Sequence, residues 1–217
     1  MGFARGYVNR IMKQTQWDEE IQDREEQRRL KRQAILRTAA RAFNEAGFHQ
    51  TSLDDLAKRL NVSKPALYYY IESKDDILFE CNRLALEYMK DALNLADDRG
   101  HTGMEKLRMF LVCYAELAVD EFGKCLILSG DQALTEENRK ILRATRRELE
   151  TALRAIIKQG VADGSIAPCD DKFAAFAFFG AFNWIAHWYR PEGENNPGEI
   201  ANELLRIFEN GLAPRAE

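Results

Sequence analysis

Residues 51–74, TSLDDLAKRLNVSKPALYYYIESK, constrain this chain more than any other stretch, because two helix starts and one helix stop fall within it. Ser52 reads as an N-cap with Asp55 three residues on, a capping-box spacing, and Asp54 and Asp55 suit the positive end of a helix dipole. Leu53, Leu56, Ala57 and Leu60 form the apolar side of that helix. Asn61 tolerates the left-handed backbone that ends a helix, and Val62 is expected to plug the turn. Ser63 caps a second helix in which Pro65 sits early, where its missing N–H is harmless. Two short helices about a tight turn make a helix-turn-helix.

The flanks extend the unit. A long amphipathic helix with apolar Ile35, Ala39, Ala42, Phe43 and Ala46 stops at Gly47, a natural residue just past a helix end. At Ser73 a new cap opens helix four, with Asp75 and Asp76 in its first turn and Ile77, Leu78, Cys81, Leu84, Ala85 and Tyr88 on its inner side. Residues 1–27 form a charged N-terminal extension. From Trp17 to Arg32 charges dominate, with Glu20/Arg24 and Glu25/Arg29 at helical spacing, so that stretch reads as a solvated helical lead-in to helix one. Arg5, Arg10 and Lys13 fit either an arm that reaches DNA or a disordered tail. No uninterrupted apolar core follows them, so no secretory signal is expected and the location expected is cytoplasmic.

Charge is divided unevenly. Residues 1–74 hold 14 Lys/Arg against 10 Asp/Glu, the remainder 17 against 25, within a whole-chain net charge of −4. Between 28 and 74 the balance is 10 against 4. A basic end on an acidic body is the asymmetry of a protein that meets nucleic acid with one face.

Beyond residue 78 the pattern is helical throughout and no alternating strand pattern of useful length occurs. Breaks are expected at 100–103, Gly123, 130–135, 160–168 and 191–197. Helix four should run to about Ala96, and helix five from Met104 to Glu121 with Leu107, Phe110, Leu111, Tyr114 and Leu117 inward. A short helix lies near Leu126. Helix seven is expected over Thr135–Ala162, helix eight over Asp170–Tyr189 and helix nine over Pro197–Leu212. The fold class is therefore all-α, a three-helix helix-turn-helix unit joined to a larger helical body, about nine helices in all. The expected division is 1–27, 28–74 and 75–217.

Cys81, Cys113, Cys125 and Cys169 are widely spaced with no C-x-x-C and only three histidines, so neither a zinc site nor a disulfide framework is indicated. Reduced thiols are the expectation, with Cys125, near Gly123, the one alternative as a redox sensor. Helix eight, FAAFAFFGAFNWIAHWY from Phe173, is apolar nearly all round, as suits a helix covered on every side. Its clean run ends at Asn183, short of the roughly 20 residues that span a bilayer, so no membrane partner is expected. A partner helix is the better cover, with Ala177, Gly180 and Ala181 allowing close approach.

Gly47-Phe48, Thr51-Ser52, Ala57, Val62-Ser63, Leu67-Tyr68, Ile71 and Ser73-Lys74 together resemble the N-terminal signature of the TetR family of one-component transcriptional regulators. The resemblance runs without a gap from about Arg32 to Leu78. Two positions depart from it: Ile71 replaces a common aromatic, a packing swap, and Leu53 stands where some members place a base-reading polar side chain. The resemblance implies that Lys64, Pro65, Ala66 and Tyr68 face the major groove, where Ala and Pro touch thymine methyls and Lys reaches guanine or a phosphate. It implies that Ser52, Tyr69, Tyr70 and Lys74 grip the DNA backbone, with Thr51 counted in the same contact set. The alternative for Tyr68, Tyr69 and Tyr70 is an aromatic surface cluster or part of the core. The family also implies a homodimer through helices eight and nine, the latter with Ile200, Leu204, Leu205, Ile207 and Phe208, placing two reading heads on a palindromic operator.

The body is expected to hold a small apolar or amphipathic effector among Tyr88, Met89, Phe110, Tyr114, Leu117, Leu128, Phe176, Phe179, Asn183 and His187, the alternative being ordinary core for each apolar member and hydrogen bonding across the dimer for Asn183 and His187. A ligand-responsive repressor is the leading expectation. The alternatives are a DNA-bound adaptor without an inducer, which a filled core would favour, and an enzyme. Against the enzyme stand the missing nucleophile–base pair, phosphate loop and metal spacing, so no catalytic residue, metal or cofactor is assigned.

Overall fold

The computed structural model describes residues 3–211, with side chains from Arg24 onward. The arm expected of Arg5, Arg10 and Lys13 lies outside those side chains. Among the described residues every regular element is helical: α1 (Phe3–Ala46), α2 (Leu53–Leu60), α3 (Lys64–Tyr68), α4 (Lys74–Arg99), α5 (Gly103–Val119), α6 (Glu121–Leu128), a 3-10 turn (Asp131–Ala133), α7 (Glu136–Asp163), α8 (Asp171–Trp188) and α9 (Pro197–Asn210).

Helix ends follow the local chemistry closely. Ser52 and Asp55 form the expected capping box, Asn61 takes φ 53°, and Ser63 and Ser73 cap α3 and α4. Gly47, at φ +88°, turns the chain out of α1, a conformation that costs glycine least. α1 is a single helix across the 27/28 boundary, so the charged extension continues into the helix-turn-helix unit. Ala46 is exposed, and α1 buries Ile35, Leu36, Ala39, Ala40, Ala42 and Phe43 instead.

Gly123 does not break a helix. The break falls three residues earlier at Asp120, whose carboxylate accepts the Phe122 N–H at 2.9 Å to start α6. Gly123 lies inside α6 because a Cβ there would stand 1.8 Å from the Leu117 carbonyl oxygen. The same device joins α5 to α7: a Cβ on Gly103 would meet the Gly160 nitrogen at 2.2 Å.

One continuous core runs from the head into the body. Leu56, Leu67 and Ile71 close the head over α1, and Ile77, Leu78 and Cys81 on α4 continue it. α5 forms the centre of the body, packed by α4, α6, α7, α8 and α9. Cys81 and Cys125 are buried, Cys113 is half-buried and Cys169 is exposed, all four as free thiols. Among the described residues no helix is long and apolar enough to cross a membrane.

Two ion-paired seams tie head to body. Glu80 accepts from Arg32 on α1 at 2.9 Å and from Arg83 at 3.0 Å. Arg41 on α1 reaches Glu121 on α6 at 2.6 Å, and Asn44 donates to the Glu121 carbonyl at 2.9 Å.

Candidate DNA-binding face and internal cavity

α3 is only five residues long, too short to hold itself together, and Leu67, fully buried, pins it to the core. Lys64, Pro65 and Ala66 are left exposed, with Tyr68 and Tyr69 at 48% and 66%. These residues form one solvent-facing surface. Tyr69 packs edge-on against Tyr70 at 5.0 Å, and the Arg28 guanidinium lies 5.4 Å over the Tyr69 ring. Tyr70 is half-buried against the core.

Lys64 pairs with Asp54 on α2 at 3.0 Å, a contact between exposed groups that costs little to open. The Ser52 hydroxyl is exposed and donates to Asp55 at 2.6 Å. Val62 is 43% exposed and therefore does not plug the turn, whereas Leu56 and Leu67 on the two helices are fully buried.

Thr51 and Lys74 lie elsewhere than on that surface. Thr51 is 4% exposed, and its hydroxyl donates to the carbonyls of Ala42 and Gly47, fastening the α1–α2 join. The Lys74 ammonium donates to the carbonyls of Phe48 at 2.8 Å and Thr51 at 3.0 Å and sits over the Phe48 ring. Both residues hold the head on α4.

Within the body a cavity of about 850 Å³ opens between α4, α6, α7 and α8. Leu86, Met89, Leu126, Leu149 and Phe179 make its apolar wall, and Tyr114 and Asn183 its polar floor, where the Tyr114 hydroxyl donates to Asn183 Oδ1. Burial pushes the Tyr114 phenol well above its ordinary range, so it stays a neutral donor. The mouth carries Ser129, Gly130, Asp131, Arg143, Arg146, Glu150 and His49. His49 belongs to the α1–α2 join, so the cavity touches the head directly.

Four of the ten sequence-expected effector residues meet here: Met89, Tyr114, Phe179 and Asn183. The others do not. Tyr88 and Leu117 line a separate recess of about 420 Å³ beside Gln33 and Arg37, because one residue along α4 turns the side chain by about 100°. There burial, with Glu116 and Cys113 beside it, pushes the Tyr88 phenol up to about 12. Its 40% exposure also removes it from the inner side of α4. Leu128 and His187 line a third recess with Arg41 and Lys124. Phe110 is fully buried core, and Phe176 faces outward from α8.

Sequence reasoning missed Arg143, Arg146, Asp131 and His49. Only folding brings Asp131 back onto arginines of α7 that lie 12 and 15 residues away. Burial alone would raise the Asp131 carboxyl, but hydrogen bonds from Arg146 and Arg143 outweigh it and hold the group below the ordinary aspartate range.

α8 is covered on one side only. Ala175, Phe178, Phe182, Ile185 and Ala186 are buried, while Phe173 (71%), Trp184 (62%), Phe176 and Trp188 stand exposed beside Ala177 and Gly180. Phe178 packs on Phe208 at 4.6 Å, joining α8 to α9, where Ile207 and Phe208 continue the exposed apolar surface.

Comparison with known proteins bears on both halves. Residues 35–81 match the family model described as "Bacterial regulatory proteins, tetR family", and residues 100–212 match "Tetracyclin repressor-like, C-terminal domain". KstR2 of Mycolicibacterium smegmatis, an HTH-type transcriptional repressor, is 24% identical over 186 residues, covering 84% of this chain and 90% of its own. The solved structure of PfmR, a TetR family transcriptional regulator from Thermus thermophilus, is 34% identical with a TM-score of 0.76, covering 83% of this chain and 99% of its own. KstR2 of Mycobacterium tuberculosis, a ketosteroid transcriptional regulator, shares the fold at a TM-score of 0.77 and 19% identity, over 85% and 96% of the two chains. With the reading head and the helical body matched separately and in the same order, this chain belongs to the TetR family of transcriptional regulators.

Proposed function

We propose that this chain is an effector-responsive repressor that binds a palindromic operator as a homodimer and leaves it when an apolar or amphipathic small molecule fills the cavity. The observation that carries this reading is the shared wall: a cavity of about 850 Å³ in the body has His49, from the head, at its mouth. An open cavity is also what an adaptor without an inducer would lack. Repression as the sign of regulation is supported by the KstR2 relative.

In this reading residues 28–74 meet DNA and 75–217 bind effector and partner. Lys64, Pro65, Ala66 and Tyr68 read bases. Ser52, Tyr69 and Tyr70 approach phosphates, and Thr51 and Lys74 act from behind by holding the head in place. Phe173, Phe176, Trp184 and Trp188 on α8, with Ile207 and Phe208 on α9, are the surface a second copy covers. Two-fold pairing there would set two α3 helices at the roughly 34–36 Å spacing of successive major grooves.

α4 transmits the state of the cavity. At about 1.5 Å per residue its 26 residues span roughly 39 Å, so a tilt of about 6° shifts one end by roughly 4 Å. A full reversal of operator occupancy needs an effector preference on the order of 5 kcal/mol between the two states. Operator fragments selected from random DNA by the purified protein, then titrated with effectors, test the reading. Reciprocal weakening of DNA and effector is the expected result, and operator affinity unmoved by every cavity-filling compound would overturn it.

A further inference from the structure

The cavity mouth is electrostatically unlike its wall. Asp131, at the start of the 3-10 turn, accepts from Arg143 Nε at 3.2 Å and from Arg146 Nη1. Glu150, the other carboxylate at the mouth, pairs with Arg154 at 3.5 Å, and the remaining titratable group there is His49. Two guanidiniums therefore share one carboxylate at the opening of a chamber whose side wall is apolar. Arginine's fork of donors suits a carboxylate or a phosphate equally, and both bind it more strongly than a neutral acceptor does.

The same residue belongs to a fastening. Arg139 donates to the carbonyls of Asp131 and Leu134, so three arginines of α7 hold this turn in place. The next residue, Thr135, donates its N–H to Asp75 Oδ1 at 2.8 Å, and Asn138 Nδ2 donates to Asp75 Oδ2 at 2.6 Å. Asp75 is the second residue of α4, adjoining Lys74 and its grip on Phe48 and Thr51. Gly130, at φ +66°, supplies a pivot on the other side of the turn.

We propose that Arg143 and Arg146 form the anion-binding end of the effector site, that an amphipathic effector's carboxylate or phosphate takes them from Asp131 while its apolar tail enters the chamber, and that this exchange unfastens the 131–135 turn from Asp75 and so from the head. The inference rests on the effector-responsive reading above and names the class of effector: an apolar tail with one anionic group. The exchange conserves charge at the arginines, since one anion replaces another. The displaced Asp131 side chain moves into solvent, which the neighbouring glycine permits.

The test uses the full-length protein with three ten-carbon probes, decanoate, decyl phosphate and decanol, each measured by calorimetry. Wild type is expected to bind the two anions about tenfold or more tightly than decanol, and Arg143→Gln/Arg146→Gln to lose that margin. Asp131→Asn, which removes the internal competitor, should bind the anions more tightly than wild type and bind a selected operator more weakly even without a probe. Asp75→Asn should keep anion affinity at or above wild type while the anions no longer change operator affinity. Preference for decanoate over decyl phosphate identifies a fatty-acid-like head, and the reverse a phosphorylated one. Equal binding of all three probes to wild type and the double variant, failure of any anion to bind, or wild-type operator affinity in Asp131→Asn overturns the inference. Should no operator be recovered at all, the repressor reading fails, while the calorimetry still reads the anion site. Thermal melts of each variant confirm folding, and if the double arginine variant melts early it is replaced by Arg146→Lys, which keeps the charge but loses the fork.

Discussion

The Tyr114 hydroxyl donates to Asn183 Oδ1 at 2.5 Å across the cavity floor, linking α5 to α8 beneath the apolar wall. Asn183→Leu would leave a buried hydroxyl without its acceptor, costing about 1–3 kcal/mol. Tyr114→Phe/Asn183→Leu removes both ends and should recover much of that loss. Urea unfolding of the two single variants and the double variant measures the coupling, and strictly additive losses would count against it.

Tyr68 and Thr51 should separate by assay. Tyr68→Ala is expected to weaken selected-operator binding by about 1–3 kcal/mol with little change in melting temperature. Thr51→Val leaves the exposed surface of α3 intact and deletes the hydroxyl that donates to Ala42 and Gly47. It should lower the melting temperature and leave the salt dependence of DNA binding unchanged. An altered salt slope in Thr51→Val would place that side chain on phosphate after all.

Trp184→Glu puts a charge into the exposed apolar surface of α8. If that surface pairs two copies, sedimentation should show dimer dissociation easier by about 2 kcal/mol or more. Operator binding should then become steeply dependent on protein concentration. An unchanged dimer would move the interface elsewhere.

Glu80 gives the stability a pH dependence. Burial alone would raise its carboxyl, but the hydrogen bonds from Arg83 and Arg32 outweigh it and hold the group below the ordinary glutamate value of 4.5. Below 4.5 the unfolded chain binds the proton first, so this contribution is present above 4.5 and fades as pH falls through the lowered folded value. Wild-type melting temperature should therefore drop on acidification below that point. Glu80→Gln should lose about 1–3 kcal/mol at neutral pH and show a shallower acid decline; parallel acid profiles would discount the Arg32–Glu80–Arg83 cluster.

Gly123→Ala tests the α5–α6 elbow. The added methyl would fall 1.8 Å from the Leu117 carbonyl oxygen, a clash with backbone that no rotamer relieves. A loss of about 1–3 kcal/mol or more is expected in chemical denaturation. Wild-type stability would mean that α6 can slide freely on α5.

The head was readable in the sequence because its signals are local. Ser52, Asp55, Asn61 and Ser63 each act within a few residues, and each takes its expected backbone role. The body yielded its helices but not its cavity. Phase along a helix separates Met89 from Tyr88, and without neighbouring helices to orient them both read as inward. Asp131 and its arginines were illegible for a different reason: an ion pair closed by a turn has no period to betray it. Gly123 misled because a glycine chosen for close packing carries the same letter as one chosen to stop a helix.

α3 contributes one anchored side chain, Leu67, and otherwise rests on its neighbours. Lys64, Pro65 and Ala66 are exposed, so substitutions there are nearly free for the architecture, while under the proposed function they change which bases are met. Operator preference in such a protein can drift across generations while its scaffold stands still, and a designer could exploit the same freedom to retarget it.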